Sequence, residues 1–401
     1  MGKRTFVCGL DVHKDSIYAA LFNGKDRSEV QVFGTFTSQV KQLIDWLHQH
    51  SVKRIALEST GIYWVPIWNL LEEAGFELTL VNPWFIKQMP GRKSDVKDAQ
   101  WIATLLYKDM LRKSFVPPKQ IRTLRNYSRQ YVKLQWQTTR VLHELVKQLE
   151  MCNIRIASCF SKADSVSILR VIRLLIAGVS DVEHLMGCVS PVVAKRKGHL
   201  IRASLEGCLT EDSRFVLDLQ LQQYNLLHQQ LMQTEAEMRK ICQEHYSQEL
   251  TLLQTIPGIK EQSAMQIIAE TGGNMDAFET SSKMVGWAGL RPQNDESAGK
   301  IKSTKITKGN RYLKRILIQT SWGAARTKNS SFKIKYDQLA KRISRKKALV
   351  AISRRQLTVI WNILYKKEAY KAAREAIATA DQITGRLTYH QRMIEQLNHL
   401  N

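Results

Sequence analysis

Two rhythms of apolar residues divide the first 118 positions. TFVCGLDV (5–12), SIYAALFN (16–23) and EVQVFGTF (29–36) are short runs of β-branched and aromatic residues, the last two separated by the turn signal Asn23-Gly24. They predict an antiparallel meander. SQVKQLIDWLHQH (38–50) changes to helical spacing with Ser38 as N-cap, and KRIALES (53–59) is an apolar run expected of a buried strand. WVPIWNLLEEAG (64–75) predicts a helix closed by glycine, and FELTLVN (76–82) a fifth strand. From Asp95, the residues Val96, Ala99, Ile102, Ala103 and Leu106 return to helical spacing, with Asp95 at an N-cap position and Pro117-Pro118 closing the segment. Three strands followed by helix, strand, helix, strand, helix predict an α/β domain over 1–118.

Beyond it the pattern is helical. Leu124, Tyr127, Tyr131, Leu134, Thr138, Val141 and Leu145 recur three and four apart, as in a coiled-coil seam whose weak point is Thr138. A second seam, Leu217, Leu221, Tyr224, His228, Leu231, Glu235, Met238 and Cys242, is broken twice by polar residues. The two predict a coiled-coil region over 119–248, pairing within the chain or across a dimer, with a smaller helical insertion at about 152–210. TLLQTIPGIKEQSAMQIIAETG (251–272) has helix, Pro-Gly turn, helix character, and such a hairpin can turn backbone N–H groups towards a phosphate. It opens a mainly helical domain over 249–375, and a helical tail over 376–401 follows.

Charge separates these regions further. The 401 residues carry 60 Lys and Arg against 36 Asp and Glu, a net charge of +24 that points to a polyanionic partner. Residues 1–118 hold 15 basic and 12 acidic side chains, net +3, whereas 291–367 hold 21 and 3, net +18. The six cysteines form no C-x-x-C pair, so neither a disulfide framework nor a zinc knuckle is expected. The N-terminal residues lack the apolar core of a signal peptide, and no run is long enough to span a bilayer. A cytoplasmic, nucleoid-associated prokaryotic protein is the expectation.

Four carboxylates stand at element ends in the nearly neutral first domain. Asp11 closes the first strand, Glu58 closes the apolar run Ile55-Ala56-Leu57, and Asp95 and Asp98 share one face at the start of the last helix. Capping accounts for one of the helical pair and leaves Asp98 unexplained. Hard divalent cations bind oxygen ligands, and paired ions activate the attacking oxygen and stabilise the leaving one in phosphodiester chemistry. His13, beside Asp11, reads as a surface histidine outside this set. In the basic region, Lys302, Lys305, Lys308, Arg311, Lys314 and Arg315 interleave with Tyr312 and Trp322, a composition suited to phosphates and occasional base stacking.

CGLDVHKDS, ALESTGIYW and KSDVKDAQWIATL resemble the N-terminal domain of the IS110/IS1111 transposases. TIPGI, FETSSKMVGWAGLRP and ESAGKIKSTKITKGNRYLKRIL resemble the same family's second domain, in the same order. The resemblance implies an RNase H-like, RuvC-like fold with a DEDD set at Asp11, Glu58, Asp95 and Asp98 binding Mg²⁺ or Mn²⁺. It further implies a nucleophilic serine at Ser297 and recombination of donor and target DNA through a serine–DNA intermediate, directed by a guide (bridge) RNA. Arg92, Lys93 and Lys300 join the expected nucleic-acid contacts. Two departures stand out. The family's Ser-Gly-Gly-Lys reads Ser297-Ala298-Gly299-Lys300, and the Lys308-Gly309 junction is one residue shorter, so Ser303 is the alternative nucleophile. Holding two DNA partners favours a homo-oligomer, a dimer or tetramer. Two rival readings remain open: a RuvC-like junction nuclease that uses water, and a non-catalytic nucleic-acid-binding protein.

Overall fold

A computed structural model describes residues 6–25, 30–58, 61–82, 95–111, 113–293, 295–297, 300–303 and 305–371, together with Thr388, Gln391 and Met393. The chain divides into two compact units, Met1–Pro117 and Pro118–Asn401.

The first unit is built on a six-stranded mixed sheet. Strands β1 (Val7–Val12), β2 (Ser16–Phe22), β3 (Gln31–Gly34), β4 (Arg54–Glu58), β5 (Glu77–Val81) and β6 (Lys113–Ser114) lie in the order β3-β2-β1-β4-β5-β6. β1, β4 and β5 are parallel, while β2, β3 and β6 run antiparallel to their neighbours. This is the RNase H-like, RuvC-like fold that the family resemblance implies. The meander, both crossover helices and the central strands fall where the apolar rhythms put them. β6 is an addition: two residues are too short to carry a period.

Alternation along the strands sorts side chains between two layers. Cys8, Leu10 and Val12 of β1, with Ile17, Ala19 and Leu21 of β2 and Ile55 and Leu57 of β4, pack against helices α1 (Thr37–Gln49) and α2 (Trp64–Glu73). The opposite set, Val7, Ala20, Phe22 and Ala56, meets helix α3 (Asp95–Tyr107) through Ala99, Ile102, Ala103 and Leu106. α1 begins differently from expectation. Phe36, not Ser38, is its N-cap, and the Gln39 side chain accepts the Phe36 N–H at 3.3 Å, so a glutamine at N3 replaces the serine hydroxyl.

Gly9 fixes how closely α3 approaches. A Cβ there would lie 2.3 Å from both the Ala103 nitrogen and the Ala99 carbonyl oxygen, so helix backbone rests directly on strand backbone. The far end of α3 is tied by Arg54, which donates to the Leu106 carbonyl and pairs with Asp109.

In the second unit, helix α4 (Lys119–Met151) pairs along its length with helix α8 (Glu211–His245). The first turns of α4 share a core with the last turns of α8, and Leu134 to Leu149 share another with Leu217 to Leu227, so the pair is antiparallel. The two seams therefore close on each other within one chain. Tyr127 and Thr138 are half-buried, Thr138 donating its hydroxyl to the Leu134 carbonyl at 2.9 Å. In the second seam His228 faces solvent and Leu227 takes its place, while Glu235 accepts from the Tyr131 hydroxyl and from Arg239. Between the long helices lie a 3₁₀ turn (Ile156–Cys159) and helices α5 (Val166–Ile176), α6 (Val182–Met186) and α7 (Pro191–Leu205).

After α8 come α9 (Ser247–Gln254), α10 (Glu261–Thr271), α11 (Ser281–Trp287), the hairpin β7 (Asp295–Ser297) with β8 (Lys300–Ser303), and helices α12 (Arg311–Ala324), α13 (Ser331–Ala340) and α14 (Arg345–Lys366). α10 is buried on almost every side, and its core runs continuously from Ile121 of α4 to Leu364 of α14. The Pro257-Gly258 turn before it is held from below. Gln356 donates to the Pro257 carbonyl at 3.1 Å and accepts the hydroxyls of Thr320 and Ser321.

Replacing Gly9 with alanine forces a methyl group into backbone that cannot yield locally. Gly9→Ala should lower stability by about 1–3 kcal/mol, read as a reduced denaturant midpoint. An unchanged midpoint would contradict the close approach of α3.

Candidate metal centre

Asp11 and Glu58 lie on the α3 side of the sheet because of strand parity. In β1 that face carries Val7, Gly9 and Asp11; in β4 it carries Ala56 and Glu58. The parallel register matches Leu10 with Leu57, so the next residues, Asp11 and Glu58, stand side by side at the ends of adjacent strands. Both are buried, at 5% and 7% exposure, which is unusual for carboxylates. Asp95 and Asp98 occupy the first turn of α3, where the helix dipole favours negative charge. Because α3 lies on Gly9, two residues before Asp11, its first turn comes over that same corner.

The tightest grouping contains a residue outside the four-carboxylate expectation. Ligand atoms of Asp11, His13 and Asp95 all lie within 4.8 Å of one another. The His13 Nε2 is 3.3 Å from the Asp11 carboxylate and 3.5 Å from that of Asp95, yet this buried atom makes no hydrogen bond. The signal in the sequence was its spacing: two residues beyond Asp11, past the strand end, where a turn closed by the His13 N–H to the Ser16 carbonyl reverses the chain.

Electrostatics link the other two carboxylates to this centre. Burial raises the Asp11 carboxyl most, His13 pulls it down, and the charges of Glu58, Asp95 and Asp98 push it up, to about 6 in all. Four acidic groups thus share one corner at a cost that a divalent cation would offset. The donor set fits such an ion: it is dominated by carboxylate oxygens, which suit hard cations of the Mg²⁺ and Mn²⁺ kind, with one imidazole.

The basic side chains distribute differently. Arg92 and Lys93 lie outside the described residues. Ser297 ends β7 and pairs with Lys300 at the start of β8, while Ser303 pairs with Asp295 and its hydroxyl accepts the Lys305 N–H at 3.2 Å. Lys302 belongs to β8. Below the hairpin, Pro292 bridges Ile306, and Gln293 and Thr307 bond Lys305 and Arg291. Lys305, Lys308 and Arg311 are exposed. Lys314 and Arg315 are half-buried: Lys314 donates to the Thr307 carbonyl at 3.2 Å, and Arg315 bonds Gln135 at 3.1 Å and lies over the Trp136 ring. Trp322 is exposed, with Arg326 over its ring.

A buried carboxylate in this unit escaped the sequence pattern altogether. Glu270, 2% exposed near the end of α10, receives both Arg129 donors at 3.0 Å and the Asn310 amide at 2.6 Å. Arg125 adds bonds to the Ala269 and Glu270 carbonyls. The partners lie 141 and 40 residues away in sequence, beyond the reach of any local rule.

Residues 8–154 match the DEDD-type IS110 transposase family, and residues 250–337 match the transposase IS116/IS110/IS902 family. Together the two matches cover more than half of the 401 residues, in the order the sequence motifs suggest. The chain belongs to the IS110 transposase family. Over 146 residues it is 32% identical to the insertion element IS900 uncharacterized 42 kDa protein of Mycobacterium paratuberculosis, a match spanning 35% of each chain. Among solved structures, T. thermophilus RuvC in complex with Holliday junction substrate matches at 14% identity, over 27% of this chain and 99% of that one, with a TM-score of 0.22.

The raised Asp11 gives the metal-free protein a specific pH response. Between about pH 4, where an unfolded aspartate titrates, and pH 6, the folded chain holds a proton that the unfolded chain has released. The stability contributed by protonated Asp11 is therefore complete below about pH 4 and is lost as pH rises through 6. With chelator present, Asp11→Asn should remove this decline and stabilise the protein at pH 7 by on the order of 1–3 kcal/mol. Denaturant midpoints across that range test it, and parallel pH profiles for the two proteins would count against it.

Proposed function

We propose that this member of the family is a DNA transposase that cuts and rejoins strands through a covalent serine–DNA intermediate. The supporting observation is the convergence of Asp11, His13 and Asp95, with Glu58 and Asp98 acting electrostatically on the same corner, in a chain of net charge +24. Asp11, Glu58, Asp95 and Asp98 would hold Mg²⁺ or Mn²⁺. The ion supplies charge neutralisation at a scissile phosphate and activation of the attacking oxygen.

The Ser297 Oγ attacks phosphorus, forming a serine–phosphate ester as one strand's P–O bond breaks, and the hydroxyl proton passes to the departing oxygen through solvent. A second DNA hydroxyl then displaces the serine, so the phosphodiester count is conserved without an external energy source. Ser297 is preferred to Ser303 because the Ser303 hydroxyl already caps the Lys305 N–H. Lys300, Lys302, Lys305, Lys308 and Arg311 would carry phosphate contacts, supported by the +18 of residues 291–367. Lys314 and Arg315 would contribute through the groups that they position.

The reading includes donor and target DNA, a guide RNA supplied by the element, a homo-oligomer, and a place in the cytoplasm at the nucleoid. No helix among the described residues is long and apolar enough to cross a membrane. With the seams of α4 and α8 closed on each other, assembly into oligomers would use other surfaces.

Incubating the full chain with its element's noncoding RNA, two candidate DNA sites and Mg²⁺ should yield a protein–DNA adduct resistant to denaturant. Ser297→Ala should abolish that adduct and strand transfer, whereas Ser303→Ala should retain both. Cleavage without any adduct in the wild type would favour water as nucleophile. Asp11→Asn and Glu58→Gln should each reduce cleavage by about 10²-fold or more while DNA binding persists; unchanged cleavage in both would favour a binding protein instead.

A further inference from the structure

The second unit has an open cavity of about 540 Å³ beside the start of α12, lined by Arg129, Gly286, Trp287 and residues 308–312. Its size falls in the range of small-ligand sites. Trp287 contributes to one wall; the residue is 39% exposed, and its ring packs at 5.1 Å, tilted, against Phe278. A large aromatic side chain that packs on one neighbour and stays partly exposed beside a cavity offers a stacking surface for a base.

The opposite rim is cationic. Lys308 and Arg311 are exposed, none of the lining residues is acidic, and among the described residues no carboxylate lies within ion-pair distance of either. Arg311 is steadied by the Tyr312 ring and hydroxyl, at 4.9 and 2.9 Å, and Arg129 lies 4.6 Å from the centre of the same ring. The start of α12 is not itself the anion site: the Asn310 side chain already accepts the N–H groups of Tyr312 and Leu313.

The cavity is held rigidly. Gly289, at φ +71°, meets Gly309 backbone to backbone, since a Cβ on Gly309 would fall 2.3 Å from the Gly289 nitrogen. The Asn310 N–H donates to the Trp287 carbonyl at 3.1 Å, and buried Glu270 grips both Asn310 and Arg129. Platform and cations are thereby locked at a fixed separation, and the charge of Glu270 is met by Arg125 and Arg129, leaving Lys308 and Arg311 for an external anion.

We propose that this cavity is a nucleotide subsite, in which an unpaired base of a DNA or RNA strand stacks on Trp287 while Lys308 and Arg311 hold the adjoining phosphate. The proposal rests on the nucleic-acid reading above and names a contact beyond the cleaved phosphate. It follows that the protein captures a strand with one base turned out of its stack.

Gly286 offers a clean test, because a Cβ there meets nothing within 4 Å and its φ is unexceptional, so a leucine would fill the cavity without backbone strain. Binding of the full chain to fluorescent single-stranded DNA, to the same strand made abasic at successive positions, and to the matching RNA would be followed by anisotropy. Gly286→Leu and Trp287→Leu should each weaken binding to the intact strand about tenfold or more. Both should also erase the difference between intact and abasic strands, while Lys308→Gln should shallow the salt dependence by about one phosphate. A larger loss on DNA or on RNA identifies which strand supplies the base.

Thermal unfolding separates occlusion from misfolding, and Gly286→Ala, with its smaller side chain, should weaken binding less than Gly286→Leu. If the wild type binds strands and forms the Ser297 adduct while both Gly286→Leu and Trp287→Leu bind as it does, the subsite is refuted and the functional reading stands. If the wild type binds no strand at all, both fall.

Discussion

Everything proposed for the first unit depends on a contact without side chains. Gly9 lets the backbone of α3 settle on β1, and Ala99 and Ala103 keep the helix side of that contact equally small. A larger residue at any of the three would lift the helix and with it the first turn that carries Asp95 and Asp98. Distances in a metal centre must hold to a few tenths of an ångström. In the proposed centre that tolerance would be set by the hardest contact available, helix backbone on strand backbone, and Arg54 pins the other end of the same helix.

The second unit solves a comparable problem with charge. Glu270 is surrounded by apolar neighbours in α10, where an unpaired carboxylate would be strongly destabilising. Three partners converge on it from α4 and from the residue that caps α12, so one buried group orients two helices and a loop at once. Such networks contribute little net stability, but they penalise any arrangement in which a partner is missing. The basic surface around α12 therefore rests on a buried negative charge.

How far the sequence could be read follows from the range of each interaction. Strands β1, β2, β4 and β5 and helices α1 to α3 were legible because the forces that make them, alternation and helical spacing, are local. Strand parity also dictates that Asp11 and Glu58 share a face. β6 exists only because a sheet edge was there to receive Lys113 and Ser114. His13 looked like a surface residue because its environment comes from α3, more than 80 positions away. Glu270 offered less still: its partners are spread over α4 and the start of α12, and nothing in its neighbours hints at them. His228 and Leu227 exchanged places for a simpler reason, since an imidazole at a seam position yields to an adjacent leucine that buries more apolar area.

The antiparallel pairing of α4 and α8 carries two separate cores, one near its base and one beside the insertion. A paired seam of this kind behaves as a ruler as well as a support. Adding one heptad to each helix would carry residues 152–210 outward by about 10 Å and keep their facing nearly unchanged, whereas adding three or four residues would rotate them about the hairpin axis. Reach and orientation can thus change independently of the body from which the hairpin springs.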